Sequence, residues 1–124
     1  MRIFDSQSRK EEPLSNYLMI ASRDCFEYAD IGYFCNQAQD LAAGGNDVTL
    51  FLVQNAVLMT RKGIDCNPLP GVLDGGSKVE VLADGFCLKE RGVKSGSMLS
   101  GVKVSDVDHL VDLLTQDGVK AVWH

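Results

Sequence analysis

The sequence predicts an α/β fold, an open and mostly parallel sheet of four to five strands with helices on both faces. Two patterns predict it. Four largely apolar stretches of strand length stand at 17–21, 48–53, 79–83 and 119–123, and the first is continuously apolar, as expected of a strand buried on both faces of a parallel sheet. The segments between them place apolar residues at helical spacing, and strands that alternate with helices are joined by right-handed crossovers.

Tyr17-Leu18-Met19-Ile20-Ala21 is the first strand. Asp24 followed by Glu27 reads as a capping box, after which Tyr28, Ile31, Cys35, Ala38, Leu41 and Ala42 recur at helical spacing until Gly44-Gly45 stops the pattern. The β-branched and aromatic run Val48 to Val53 gives the second strand, and Ala56-Val57-Leu58-Met59 a short helix. From Gly63 to Gly76 proline and glycine concentrate, which predicts an irregular segment placed to act as a lid. Val79 to Ala83 is the third strand, and a helix follows with Asp84 as N-cap and Gly92 as stop. Ser105 is expected to cap a helix whose Val107, Leu110, Val111 and Leu114 face the core, with Gly118 ending it before the final strand, Val119 to Trp123. Residues 1–15 are polar, carry Arg9-Lys10-Glu11-Glu12-Pro13, and are expected to form a flexible extension; residues 16–124 form one domain.

Composition narrows the function classes. A chain of 124 residues suits one domain that buries roughly two-thirds of its unfolded surface. A net charge of −5 gives no general field for phosphate backbones, so direct nucleic-acid binding is not expected. No apolar run reaches the roughly 20 residues of a spanning helix, and the first fifteen residues lack the apolar core of a secretory signal. Membrane insertion is therefore not expected, and the cytoplasm is the expected compartment. The 4 cysteines form no C-x-x-C pair and the 2 histidines stand apart from other ligands, so neither a zinc site nor any cofactor is predicted. In a reducing compartment the cysteines are expected to be free thiols. Gly44-Gly45 and Gly75-Gly76 match no phosphate-binding loop and read as turns. Cys35 falls on the apolar stripe of the first helix and is expected in the core; Cys66 lies in the loop; His109 is expected at the surface and His124 at a frayed end.

The chemistry concentrates at Cys87, where the third strand hands over to a helix. A thiol there feels unpaired backbone N–H groups and the positive end of the helix dipole, both of which favour the nucleophilic thiolate. Arg91, four residues on, shares its helical face and adds a cationic influence. Asp84 opposes both unless it is engaged as the cap. If the first strand is central, the crevice between the carboxyl ends of strands one and three is the topological switch point, which would bring Cys25 opposite Cys87 as a second thiol.

The Cys87-x-x-x-Arg91-Gly92 element directly after the third strand, with Gly101-Val102-Lys103-Val104-Ser105 leading into the last helix and a terminal apolar strand, resembles the DsrE/TusD (DsrE/DsrF-like) sulfur-relay family. That resemblance implies a flavodoxin-like fold and a persulfide-carrying cysteine at Cys87, with Arg91 in support. It also implies sulfur-donor and sulfur-acceptor protein partners, a TusA-like carrier among them, and assembly as a homo- or hetero-oligomer, a trimer or hexamer. Two other classes stay open on the residues alone: a non-catalytic binding or regulatory subunit, and a thiol redox sensor or peroxidase.

Overall fold

A computed structural model describes residues 14–76 and 78–124. Five parallel strands form one sheet: β1 (Asn16–Ala21), β2 (Asp47–Leu52), β3 (Val79–Asp84), β4 (Val102–Ser105) and β5 (Val119–Trp123), in the order β4-β3-β2-β1-β5. The helices are α1 (Ile31–Ala43), α2 (Leu69–Asp74), α3 (Gly85–Glu90) and α4 (Val107–Leu114), with a 3-10 turn over Gln54–Thr60. This is the α/β, mostly parallel sheet that the strand and helix patterns predict and the flavodoxin-like fold that the family resemblance implies. Of the extension expected at residues 1–15, residues 1–13 lie outside the described residues, while the Leu14 N–H donates to the Gly45 carbonyl at 3.3 Å and the Ser15 carbonyl accepts from the Asp47 N–H at 2.9 Å.

Strand alternation sorts the core into two layers. In register across the sheet, Met19 pairs with Leu50 and Leu50 with Val81, and these side chains join Ala21, Leu52 and Ala83 under α1, α2, α3 and the 3-10 turn. Ile20, Phe51 and Leu82 form the next row and point to the opposite face, where Leu110 of α4 covers them. The one-helix second face follows from handedness. The chain steps from β1 to β4 in one direction along the sheet, then reverses to reach β5, and a right-handed crossover in the reverse direction places its helix on the opposite side.

The structure corrects several expectations. Asp24 does take local N–H groups, from Phe26 at 2.9 Å and Glu27 at 3.1 Å, but in a turn; the helix starts later, at Ile31, and Tyr28 is exposed. An Asp side chain that satisfies these donors in a turn competes with helix formation. The 63–76 segment is not a free lid, because Leu69 and Val72 of α2 are buried in the main core and Gln39 Nε2 donates to the Gly71 carbonyl at 2.7 Å. Ser105 ends β4 rather than capping α4, whose cap is Asp106, accepting from the His109 N–H at 2.9 Å. Only Leu110 of the predicted α4 stripe is buried; Val107, Val111 and Leu114 are exposed. A stripe at helical spacing reveals which residues share a face, not what covers that face.

The first and third strands are not neighbours either, since β2 lies between them, so no switch point separates them. β1 and β5 are the adjacent strands that are not consecutive in the chain, and His124 closes their carboxyl ends. Its carbonyl accepts from the Ser22 N–H at 2.9 Å and from Ser22 Oγ at 3.0 Å, its ring stacks on Phe34, and its Nε2 lies 3.1 Å from Asp30 Oδ2. His124 is thus anchored rather than frayed.

Candidate active site at Cys87

β3 ends at Asp84 with extended backbone, and α3 starts at the next residue. Asp84 Oδ2 accepts from the Cys87 N–H at 2.9 Å, so the cap foreseen in the sequence forms and pins Cys87 in the first turn. Gly85 makes this start possible against the edge strand, because a Cβ there would lie 3.1 Å from Val104 Cγ1 and 3.3 Å from the Ser105 carbonyl oxygen. Cys87 is only 5 % exposed, and it is one of the residues that line a cleft of about 510 Å³, with Gln54, Asp84, Phe86, Asp106 and Val107 among the walls.

The nearest donor to the sulfur comes from a residue that sequence reasoning missed. The Gln54 N–H donates to Cys87 Sγ at 3.2 Å, from the start of the 3-10 turn that follows β2. Gln54 holds a φ of +50°, the left-handed region that a non-glycine side chain disfavours, and strain of this kind concentrates at functional sites. Neither its residue type nor its spacing signals this role.

Arg91 shares the Cys87 face, as predicted, but its guanidinium reaches across to the same turn. Its Nε donates to Asn55 Oδ1 at 3.0 Å and its Nη2 to Gln54 Oε1 at 3.3 Å, while Nη1 lies 3.5 Å from the Cys87 carbonyl oxygen and 3.5 Å from Glu90 Oε1. Arg91 therefore ties together the two elements that meet at the sulfur. It positions the Gln54 N–H and adds positive charge at short range.

These influences do not sum to the depressed thiol pKa that a helix start suggests. Burial pushes the Cys87 thiol up, a hydrogen bond to Asp84 and the Asp84 charge push the same way, and the Gln54 N–H and Arg91 oppose them without winning. Desolvation is the largest of these influences, and the short helix offers little against it. α3 has six residues, so few peptide dipoles align behind Cys87, and the carboxylate that caps it offsets their field.

The other cysteines separate. Cys35 is buried on α1 and desolvation pushes its thiol up to about 12, as suits an inert core residue. Cys25 is not free and does not face Cys87 as a second thiol; it is joined in a disulfide to Cys66, with their Cα atoms 5.9 Å apart across 41 residues of chain. The expectation of four free thiols fails because the turn at Asp24 and the loop before α2 come together over the carboxyl edge of the sheet, a juxtaposition that cysteine spacing does not encode. Among the described residues no three His, Cys, Asp or Glu side chains gather as a metal-ligand set, and no helix is long and apolar enough to cross a membrane.

Among solved structures the chain is similar to the ychN protein from E. coli. The identity is 19%, the match covers 87% of this chain and 99% of that one, and the TM-score is 0.70. At that identity the likeness shows the fold alone, the α/β, flavodoxin-like sheet described above. No protein-family model and no curated protein matches the chain.

Proposed function

We propose that the protein is a sulfur-relay protein that accepts and hands on a persulfide sulfur at Cys87. The observation that carries this reading is a free cysteine at the wall of a cleft with a backbone N–H aimed at its sulfur. The flavodoxin-like fold, which the resemblance to the sulfur-relay family implies, supports it.

In the step, Cys87 Sγ attacks the outer sulfur of a donor persulfide, R–S–SH. A Cys87 S–S bond forms, the donor S–S bond breaks, and the donor leaves as its thiolate and takes a proton. An acceptor thiolate then attacks the outer sulfur of Cys87–S–SH and returns Cys87 to its resting form, with no net change in oxidation across the cycle. The raised thiol pKa keeps resting Cys87 mostly protonated at neutral pH. Asp84 accepts its proton-side hydrogen bond, and Gln54 N–H and Arg91 meet the negative charge that develops on sulfur as the donor approaches. A thiol with high pKa is scarce as thiolate but strongly nucleophilic once ionised.

Incubating the reduced full chain with a low-molecular-weight persulfide and mapping its peptides by mass should show a gain of one sulfur at Cys87 and none at Cys35. Cys87→Ser should abolish the gain. If Cys87 stays unmodified, the relay reading fails and a non-catalytic binding subunit takes its place; if peroxide oxidises Cys87 rapidly while persulfide leaves it untouched, a redox sensor does.

Sulfur-donor and sulfur-acceptor proteins, a TusA-like carrier among them, reach the sulfur through this cleft, and the chain works as a homo- or hetero-oligomer. Exposed Val107, Val111 and Leu114 on α4 support that assembly, since an apolar patch of this kind commonly marks an interface. Sedimentation of the full chain at micromolar concentration should show a trimer or hexamer, and Val111→Glu should shift it to smaller species. A wild-type monomer removes self-association from the reading.

A further inference from the structure

We propose that the Cys25–Cys66 pair is a second thiol-exchange site, which takes an anionic low-molecular-weight thiol in the cleft beside Arg61 and Lys62 and forms its mixed disulfide on Cys66. The cleft has a volume of about 610 Å³ and is walled by Arg61, Lys62, Asp65, Cys66 and Phe26, among others. It shares no lining residue with the cleft at Cys87. The two sulfurs differ in access, since Cys66 is exposed in the cleft whereas Cys25 is buried in the main core. Thiolate attack on a disulfide goes to the sulfur that can be reached, so an incoming thiol meets Cys66 first.

The local charge selects the incoming group. The chain as a whole is acidic, at −5, yet two cations and a single acid line this cleft. Thiols that also carry carboxylates, as glutathione does, are drawn there, while neutral thiols gain nothing from the same field.

Opening the disulfide does not require unfolding. On one side of Cys66, the Lys62 N–H donates to the Ser97 carbonyl at 2.9 Å and Arg61 bridges to Met98; on the other, Asn67 Nδ2 donates to the Met59 carbonyl at 2.5 Å and its Oδ1 accepts from the Leu69 N–H at 3.0 Å. Cys25 sits in the turn that Asp24 holds through the Phe26 and Glu27 N–H groups. Each cysteine thus sits on a segment anchored by bonds other than the disulfide.

The exchange balances. The incoming thiolate forms a bond to Cys66 Sγ, the Cys25–Cys66 bond breaks, and Cys25 leaves with the electron pair and takes a proton. A second thiolate attacks the small-molecule sulfur of the mixed disulfide, which releases Cys66 as thiolate and yields the small-molecule disulfide. Two thiols are oxidised and the protein disulfide is reduced; run in reverse, the pair re-forms with the Cys25 thiol as the resolving group.

The test uses the full chain in a Cys87→Ser background, so that any reaction at Cys87 is removed from the readout and the fate of the relay reading does not enter. With Cys25 also changed to Ser, reduced protein treated with oxidised glutathione should gain one glutathionyl group, mapped to Cys66. With Cys66 changed to Ser instead, Cys25 should remain unmodified while circular dichroism reports a folded chain. On the intact pair, Lys62→Gln should slow opening by glutathione by about threefold or more at low salt and leave opening by β-mercaptoethanol unchanged. Faster modification of Cys25 than of Cys66, opening only where denaturant unfolds the chain, or equal slowing for both thiols would each overturn the proposal.

Discussion

Phe51→Ala should lower folding stability by about 3–5 kcal/mol, whereas Phe86→Ala should stay within about 0.5 kcal/mol. The residue type is the same and the burial is not: Phe51 is 0 % exposed and Phe86 is 68 % exposed. Phe51 lies between Ile20 and Leu82 in the row of the sheet that faces α4, and it shares its small cluster with Leu18 and Leu110. That layer has one short helix over it, so no second element can move in to fill the space that Phe51 leaves. Truncation removes both the transferred apolar surface and the packing that holds Leu110. Urea midpoints at unchanged slope would measure the loss, and amide exchange should speed up first in α4. A loss under about 1.5 kcal/mol for Phe51→Ala would mean that α4 collapses onto the sheet, and that the second face is looser than its burial implies.

The same layer explains what the sequence does and does not reveal. A continuous apolar run such as Leu50-Phe51-Leu52 announces a strand buried on both faces, because each side chain in turn must be covered. Strand-length apolar stretches point to β1, β2, β3 and β5, though β5 lies at an edge with Lys120 and Trp123 exposed, and the alternation with helices points to the parallel sheet. β4 hides because Val102-Lys103-Val104-Ser105 is short, half polar and at the edge, where one side needs no partner and Lys103 sits 3.6 Å from Glu80. Strand order was not legible. It depends on which strands pair across long separations, and the crevice assigned to strands one and three vanished once β2 took the place between them.

The candidate site was half legible for a related reason. Asp84 as cap, Cys87 in the first turn and Arg91 on its face are local relations, set by helix geometry within eight residues, and all three are present. What acts on the sulfur from outside the helix comes from residue 54, and what pairs with Cys25 comes from residue 66. No residue pattern encodes either contact. The direction of the Cys87 pKa turns on burial first and on the Asp84 carboxylate next, and burial depends on packing that a helix-start position does not reveal.

That balance yields the other large effect. Asp84→Asn should lower the pH midpoint for alkylation of Cys87 and raise its rate at pH 7. Asn keeps the capping oxygen for the Cys87 N–H, so the start of α3 survives, while the negative charge and the carboxylate hydrogen bond that both favour the neutral thiol are removed. Burial then stands alone against the Gln54 N–H and Arg91. The sign follows directly. A group held above its ordinary pKa is mostly thiol at neutral pH, so any downward shift enlarges the thiolate fraction there, and the rate with it. The gain is partial, because a thiolate of lower pKa is intrinsically less nucleophilic, and it fades at pH values above both midpoints, where wild type and variant are fully ionised. Arg91→Gln should move the midpoint the other way, since it removes a cation and the clamp on the turn that carries Gln54. Iodoacetamide rates at Cys87 between pH 6 and 11, with modification mapped to exclude Cys35, would read both shifts. If Asp84→Asn left the midpoint in place or raised it, Asp84 would be a cap and nothing more, and burial alone would set the reactivity of Cys87.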